Sequence, residues 1–172
     1  MKALIVVDYQ YDFVDGTLGF PGAADLEGPI AEKVREAKAE GTDVYFTMDC
    51  HGDDYLSTQE GRRLPVEHCS TPDGMKIYGS LEGLSERCTV IRKPSFGSTE
   101  LFDIMRSRDY DEVELCGVVT NICVISNAVL VKTALPEARI VVDAGCVGSN
   151  DASLNEKALD VMEGLQIDVI GR

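Results

Sequence analysis

The chain has 172 residues, of which 44% are hydrophobic, and this length and composition fit one ordinary globular domain. Lys and Arg number 16 against 30 Asp and Glu, so the formal net charge is −14. A charge of this sign repels phosphate backbones and anionic lipid headgroups, which argues against nucleic-acid and membrane-surface partners.

The predicted elements alternate strands with helices along the chain. In chain order they are a strand at 2–7, a loop at 9–25, a helix at 29–39, a strand at 43–48, a long loop at 49–85, a strand at 88–92, a helix at 98–107, a strand at 112–118, a helix at 121–133, a strand at 138–142, a helix at 153–164 and a strand at 166–170. The strand runs are mostly apolar or β-branched, which is typical of strands buried on both faces. This order predicts an α/β fold, a six-stranded parallel sheet with helices on both faces, in one domain over residues 1–172.

Targeting signals and disulfides are not indicated by the sequence. No apolar run reaches the roughly 20 residues that a bilayer span needs. The apolar N-terminal stretch is short and ends at Asp8, which argues against a signal peptide. The six cysteines include no C-x-x-C pair, so a disulfide framework is not expected. We therefore expect a cytoplasmic protein.

Polar side chains stand near the carboxyl ends of the predicted strands, where open α/β sheets bind ligands. We expect them to converge on one edge of the sheet: Asp8, Asp49, His51, Lys93, the segment 117–123 and Asp143.

Cys123, Asp8 and Lys93 form the first candidate constellation. A cysteine at the start of a helix meets the positive end of the helix dipole, which lowers its pKa, and a nearby lysine lowers that pKa further. A carboxylate such as Asp8 can take the thiol proton, and backbone N–H groups of residues 117–123 can form an oxyanion hole. The alternatives are an inert core cysteine and a turn or capping role for Asp8.

Asp49, His51 and His68 form the second candidate, a divalent metal site. The chain has two histidines, and both lie in the long loop after the second predicted strand. A carboxylate and two imidazoles suit a borderline ion such as Zn²⁺. The alternative is a pair of solvent-exposed histidines. Asp53 and Asp54 are either solvated loop carboxylates or hydrogen-bond partners of the metal ligands. Cys69 is a weaker candidate for a thiol ligand of the metal.

Aromatic loop residues are weaker candidates for a substrate wall. Phe13 and Tyr11 can line a pocket or pack ordinarily, and Phe96 with residues 97–99 can form a pocket rim or cap the next helix. Neither a G-x-G-x-x-G nor a G-K-[ST] pattern is present, so no nucleotide cofactor is expected.

Five segments taken together resemble the isochorismatase-like cysteine hydrolases, and within them the nicotinamidase/pyrazinamidase group. They are ALIVVDYQYDF at 3–13, YFTMDCH at 45–51, PVEHC at 65–69 with the glycine at 74, VIRKPSFGST at 90–99 and GVVTNICV at 117–124. The resemblance implies a Rossmann-like three-layer sandwich and a catalytic triad of Cys123, Asp8 and Lys93. It also implies a cis peptide bond between Val118 and Val119, which would aim the N–H groups of Val119 and Cys123 at an oxyanion.

The same resemblance implies a metal bound by Asp49, His51 and His68 that orients the pyridine nitrogen of the substrate. Zinc is favoured, with manganese or iron also compatible, and Phe13 and Val118 are expected to contact substrate. Members of the group are commonly dimers or tetramers, so a homo-oligomer is expected. Two departures bear on the substrate: Asn121 stands where many nicotinamidases have Asp, and the chain has no Trp.

The predicted function is hydrolysis of a small planar carboxamide through a thioester on Cys123. Nicotinamide is the first candidate substrate. One alternative is a relative that hydrolyses another amide or an N-carbamoyl compound. A second is vinyl-ether hydrolysis, which needs the Asp but has no use for the thiol. A third, from a different class, is a non-catalytic metal or thiol-redox protein.

Overall fold

Six parallel strands form one sheet in a computed structural model that describes residues 1–172. The strands are β1 (Lys2–Val7), β2 (Asp43–Asp49), β3 (Thr89–Lys93), β4 (Glu112–Val118), β5 (Arg139–Gly148) and β6 (Asp168–Ile170). Their order across the sheet is β3-β2-β1-β4-β5-β6, and every neighbouring pair is parallel. The predicted six-stranded parallel sheet is therefore confirmed.

Seven α-helices connect or flank the strands. They are α1 (Tyr11–Val14), α2 (Glu27–Glu40), α3 (Pro72–Met75), α4 (Leu81–Ser85), α5 (Thr99–Arg106), α6 (Ile125–Ala134) and α7 (Ala152–Gly164). Two 3₁₀ turns cover Ala24–Leu26 and Tyr55–Ser57, and a π-helical turn, Thr120–Val124, leads directly into α6. None of the helices combines the length and apolar character needed to cross a membrane.

Both faces of the sheet are covered, which explains the continuous apolar run of β1. Residues 3, 5 and 7 of this strand pack in one core cluster together with α5, α6 and α7. Residues 4 and 6 point to the opposite face and pack in a second cluster with α2 and α4. Because successive side chains of a strand alternate between faces, a strand buried on both sides must be apolar throughout. The predicted helices on both faces are confirmed.

β5 is longer than predicted, and this changes the position of Asp143. The strand continues to Gly148, so Asp143 lies in its middle rather than after its end. The Asp143 carboxylate pairs with Lys33 of α2 at 2.7 Å, and Lys33 also contacts Glu114 at 2.7 Å. The expectation that Asp143 joins the other polar residues at the sheet edge was therefore wrong.

The strand order reverses direction at β1, which lies between β2 and β4. The chain passes from β1 to β2 and β3 on one side, and then crosses to β4 on the other. In open α/β sheets, the carboxyl ends of the strands at such a reversal border a crevice that binds ligands. Asp8, directly after β1, and the turn after β4 lie at this position.

Candidate active site

Asp8 is fully buried at the carboxyl end of β1, where the chain turns away from the sheet. Its φ of +45° lies in the left-handed region, which Asp tolerates better than most residues. Its N–H still donates to the carbonyl oxygen of Thr47 at 3.2 Å. The Thr47 hydroxyl donates to Asp8 Oδ1 at 2.6 Å and so fixes the carboxylate.

Lys93, the last residue of β3, reaches across to both of its predicted partners. Its Nζ lies 2.6 Å from Asp8 Oδ2 and 3.7 Å from the Sγ of Cys123. The ammonium also donates to the carbonyl oxygen of Ser95 at 2.9 Å. Only 3% of Lys93 is exposed, so this charge interacts with its neighbours away from bulk water. The structure thus brings the three predicted catalytic side chains together.

Cys123 is presented by the π-helical turn that follows β4. Its side chain is buried, and its carbonyl oxygen accepts a hydrogen bond from Asn127 Nδ2 at 2.8 Å. The peptide bond between Val118 and Val119 is cis, as the resemblance implied. The Val119 N–H has no acceptor among the backbone hydrogen bonds of turns, loops and caps.

The pKa of the Cys123 thiol differs in direction from the expectation. Burial raises this pKa well above its usual value, and the negative charge of Asp8 raises it further, while Lys93 opposes both. Lys93 lowers the thiol pKa, as expected, but the net direction is opposite to the expected one, because desolvation of the thiolate outweighs Lys93. Burial also raises the pKa of Asp8 against the opposing effect of Lys93. A protonated thiol therefore faces a carboxylate of increased basicity.

A second group of polar side chains adjoins these three residues. His51 Nε2 lies 3.0 Å and His68 Nε2 3.5 Å from Asp49 Oδ2, so the three predicted metal ligands meet. Glu60 completes the group, with its Oε1 3.8 Å from the Nε2 atoms of both histidines. One ligand atom from each of the four residues lies within 4.8 Å of all the others.

Glu60 was missed by the sequence analysis. It lies in the long segment between β2 and β3, and no spacing distinguishes it from the other carboxylates there. Asp53 and Asp54, which the sequence analysis considered, are both exposed and do not belong to the group, and the buried Cys69 thiol does not either. Burial separates Glu60 from the exposed Asp53 and Asp54, and burial in a loop becomes visible only in the folded chain.

The four side chains have the chemistry of a divalent metal site. His68 Nδ1 lies 2.8 Å from the Val66 carbonyl oxygen, which can only accept, so Nδ1 carries the hydrogen and Nε2 is free to bind. Burial acts to raise the pKa of Asp49, but its hydrogen bonds with His51 and His68, together with the charge of Lys93, lower that pKa. Two imidazole nitrogens and two carboxylates fit zinc and several other first-row divalent ions.

A cavity of about 180 Å³ lies between the predicted triad and the four polar side chains. Its volume is below the roughly 300 Å³ typical of small-molecule sites, which favours a small ligand. Its walls are mostly apolar, and it is lined by Phe13, Leu18, Phe20, Asp49, Glu60, Leu64, His68, Phe96, Val119, Ile122, Cys123 and Asn150.

The two predicted substrate contacts are placed differently. Phe13 lines the cavity, and its ring centroid lies 5.6 Å from that of His68. Val118 is fully buried in the core cluster on the α2 face and does not line the cavity, because the side chain of this last β4 residue points into the sheet–helix interface. Its neighbour Val119 lines the cavity instead, which corrects the expectation for Val118.

Two other residues considered in the sequence analysis lie outside the cavity wall. Tyr11 is exposed, and its ring packs against that of Tyr78 at 6.3 Å. Asn121 accepts a hydrogen bond from the Ser149 hydroxyl at 2.5 Å and so joins the turn after β4 to the loop after β5. Asn121 therefore affects the cavity only through the shape of these loops.

A second, larger cavity of about 530 Å³ adjoins the polar group and is lined by His51 and Glu60. It shares Glu60, Leu64, Phe96 and Ile122 with the first cavity. The two cavities are therefore neighbours, and Glu60 lines both.

The comparisons with known proteins agree with this geometry. A model of the isochorismatase domain matches residues 2–172. The chain belongs to the isochorismatase family. An uncharacterized isochorismatase family protein of Bacillus subtilis is 34% identical to this chain, with 74% of this chain and 76% of the relative covered. A nicotinamidase/pyrazinamidase of Mycobacterium tuberculosis is 29% identical, with 99% and 98% covered.

A solved structure shows the same fold over the whole chain. The pyrazinamidase of Pyrococcus horikoshii, crystallised in complex with zinc, matches with a TM-score of 0.86 and 26% identity, covering 99% of each chain. Together, the comparisons confirm the resemblance to the nicotinamidase/pyrazinamidase group. They also confirm the expectation of an enzyme that hydrolyses carbon–nitrogen bonds.

Proposed function

We propose that this protein is a cysteine amidase that hydrolyses a small planar carboxamide, with nicotinamide as the first candidate, to a carboxylate and ammonia. The observation that carries this proposal is that Cys123 shares one small cavity with three members of the polar group, Asp49, Glu60 and His68. Nucleophile and metal-ligating side chains thus face the same bound molecule.

In the first half of the reaction, Asp8 takes the proton from the Cys123 thiol. The resulting thiolate attacks the carbonyl carbon of the amide and forms a C–S bond, which leaves negative charge on the former carbonyl oxygen. The backbone N–H groups of Val119 and Cys123 are the proposed donors to this oxyanion. The C–N bond then breaks, and protonation by Asp8 releases the nitrogen as ammonia.

In the second half, water hydrolyses the thioester. Asp8, again ionised, takes a proton from the attacking water, and the oxygen forms a bond to the acyl carbon. The C–S bond breaks, the acid product leaves, and the proton returns to the Cys123 sulfur. One carboxylate thus serves in turn as base and acid, which the raised pKa of Asp8 favours.

Lys93 contributes its positive charge to both halves of the proposed reaction. Burial acts to lower the pKa of Lys93, but Asp8, Cys123 and Asp49 together raise it, so the ammonium stays charged. A fixed cation 3.7 Å from Cys123 Sγ stabilises the thiolate as it forms, and the effect is larger in a buried site than in water.

Asp49, His51, Glu60 and His68 would hold a divalent metal, and zinc is supported by the zinc complex of the Pyrococcus relative. A metal bound there supplies a Lewis-acid position for a ring nitrogen of the substrate. Phe13 and Phe96 provide aromatic walls for a planar ring, which compensates for the missing Trp.

Ammonia release is the measurement that tests the proposal. The zinc- or manganese-loaded protein is assayed with nicotinamide, pyrazinamide, an aliphatic amide and an N-carbamoyl amine, and we expect release from the two ring amides. Hydrolysis of the aliphatic or N-carbamoyl compound alone would contradict the substrate assignment and leave the cysteine chemistry intact. No release from any of them would contradict the proposed activity as a whole.

A further inference from the structure

The side chain of Gln10 takes the place of a missing strand neighbour at the end of β2. The pairing of β1 with β2 ends at Val7 and Thr47, and the chain leaves the sheet at Asp8. Asp49, two residues beyond Thr47 in β2, therefore has no backbone partner from β1. Gln10 Oε1 accepts from the Asp49 N–H at 2.7 Å, and Gln10 Nε2 donates to the Asp49 carbonyl oxygen at 2.9 Å.

The Gln10 carboxamide has a third partner that fixes its own position. Its Nε2 also donates to the Met75 carbonyl oxygen at the end of α3, at 2.9 Å. The side chain is completely buried and uses its acceptor and both of its donors. A fully satisfied buried amide has one favourable orientation, because any rotation leaves polar groups unpaired in the interior.

We propose that Gln10 is a positioning residue for the metal ligand Asp49. This inference rests on the proposed function, in which Asp49 binds the metal. An aspartate side chain has two rotatable bonds, so the position of its backbone largely determines where the carboxylate lies. By binding both backbone polar groups of Asp49, Gln10 fixes the carboxylate that meets His51 at 3.0 Å and His68 at 3.5 Å.

The expected consequence is a change in metal affinity. Groups that orient metal ligands without touching the ion commonly contribute about 10- to 100-fold to affinity or activity. Gln10→Met keeps the length of the side chain and removes all three hydrogen bonds. Gln10→Glu keeps the acceptor for the Asp49 N–H but sets a carboxylate oxygen against the carbonyl oxygens of Asp49 and Met75, which repel it. We expect the Kd for Zn²⁺ to rise about 10- to 100-fold in both variants.

The test is calorimetric titration of the metal-free full-length protein with Zn²⁺, with Tm measured in parallel. Tyr9→Phe is the matched control, since it removes a buried hydrogen bond, from Tyr9 Oη to the Ala23 carbonyl oxygen, at the neighbouring position. Its Kd for Zn²⁺ should equal that of the wild type, even if its Tm falls.

Two results separate the inference from the proposed function. If the wild type binds no Zn²⁺, the proposed metal site itself is wrong. If the wild type binds and either folded Gln10 variant binds with an unchanged Kd, Gln10 has a structural role only and the inference is overturned. Should Gln10→Met fail to fold, Gln10→Glu decides the question.

Discussion

At the scale of single residues, the site concentrates buried charge that a stable core would not otherwise contain. Asp8, Asp49 and Lys93 are each at most 3% exposed, and Lys93 Nζ lies 2.6 Å from one carboxylate and 3.5 Å from the other. A buried ion pair adds little to the stability of a fold, because the cost of desolvating the two charges offsets their attraction. The proposed reaction at Cys123, whose Sγ lies 3.7 Å from the same ammonium, accounts for these buried charges.

Asp8→Asn should abolish most of the activity while keeping the fold. Asn adopts the left-handed backbone of this position as readily as Asp, and it can still accept from Thr47, but it cannot take the thiol proton. We expect kcat for amide hydrolysis to fall about 10²- to 10⁴-fold, the usual contribution of a general base. Steady-state kinetics measure the fall in kcat, and circular dichroism shows whether the fold is kept.

The control for Asp8→Asn is Asp15→Asn, an exposed carboxylate of the same loop that accepts from the Tyr78 hydroxyl. Its kcat should stay within a factor of about three of the wild type, as surface substitutions change energies by about 0.5 kcal/mol or less. A kcat for Asp8→Asn close to that of Asp15→Asn would rule out Asp8 as the base.

Glu60→Gln should weaken metal binding, because the amide lacks the negative charge of a ligating carboxylate. Burial and the nearby Asp49 raise the pKa of Glu60, and a bound cation would oppose both effects. We expect at least about a 10-fold higher Kd for Zn²⁺ by calorimetry. Glu67→Gln, an exposed residue of the same loop, should bind as the wild type does. Equal affinities of the two variants would show that Glu60 is not a ligand.

At the scale of elements, one buried amide joins α6 to the loop between β3 and α5. Asn127 donates to the carbonyl oxygens of Cys123 at 2.8 Å and of Phe96 at 3.1 Å. Its Oδ1 accepts from the Ser98 N–H at 3.0 Å. This amide therefore connects the helix that follows Cys123, the proposed nucleophile, to the loop that carries Phe96.

Asn127→Ala should lower both stability and activity. It leaves the buried Ser98 N–H and two carbonyl oxygens without their partner, at about 1–3 kcal/mol for each group left unsatisfied. We expect the free energy of unfolding, measured with urea, to fall by at least about 3 kcal/mol, together with a higher KM as the Phe96 wall loosens. The control is Asn155→Ala in α7, because the Asn155 Nδ2 donates only to Glu156 Oε1 and its Oδ1 has no partner; this change should lower neither stability nor activity. A fall in stability of the same size in Asn155→Ala would contradict this assignment.

The elements themselves were largely predictable from the sequence, whereas their ends were not. The spacing of apolar residues along the chain indicates where strands and helices lie, and β1 and β4 were predicted with their observed bounds. The extension of β5 to Gly148 was missed because its last residues include two glycines and an alanine, which are not typical of strands. Asp143 was misplaced for this reason.

At the scale of the whole molecule, the excess of acidic groups should destabilise the folded state at low salt. The formal charge of −14 creates self-repulsion, and we expect this repulsion to exceed the contribution of the exposed ion pairs. Raising ionic strength from about 0.01 to about 0.1 M shortens the Debye length from about 30 to about 10 Å. We expect Tm by calorimetry to rise over this range. A falling Tm would mean that attractive pairs dominate.

The predicted triad and three of the four polar ligands could be located from sequence because each follows a strand or lies in the histidine-bearing loop. Their distances depend on the reversal of strand order at β1, which brings β3, β2, β1 and β4 to one edge. Glu60 and Gln10 were not found, since their contacts with the histidines and with Asp49 arise from loop geometry that no spacing encodes. A cytoplasmic location, a homo-oligomer and a single domain over 1–172 stay predictions.

The most direct test of the central claim is turnover of nicotinamide by Cys123→Ala in its metal-loaded form. The substitution removes the proposed nucleophile but none of the metal-ligating side chains, so the variant should bind Zn²⁺ with the affinity of the wild type. Its kcat for ammonia release should fall by at least about 10³-fold, the scale on which loss of an enzyme nucleophile acts. A folded, metal-loaded Cys123→Ala protein that keeps a tenth of the wild-type kcat, or about that, would contradict the account.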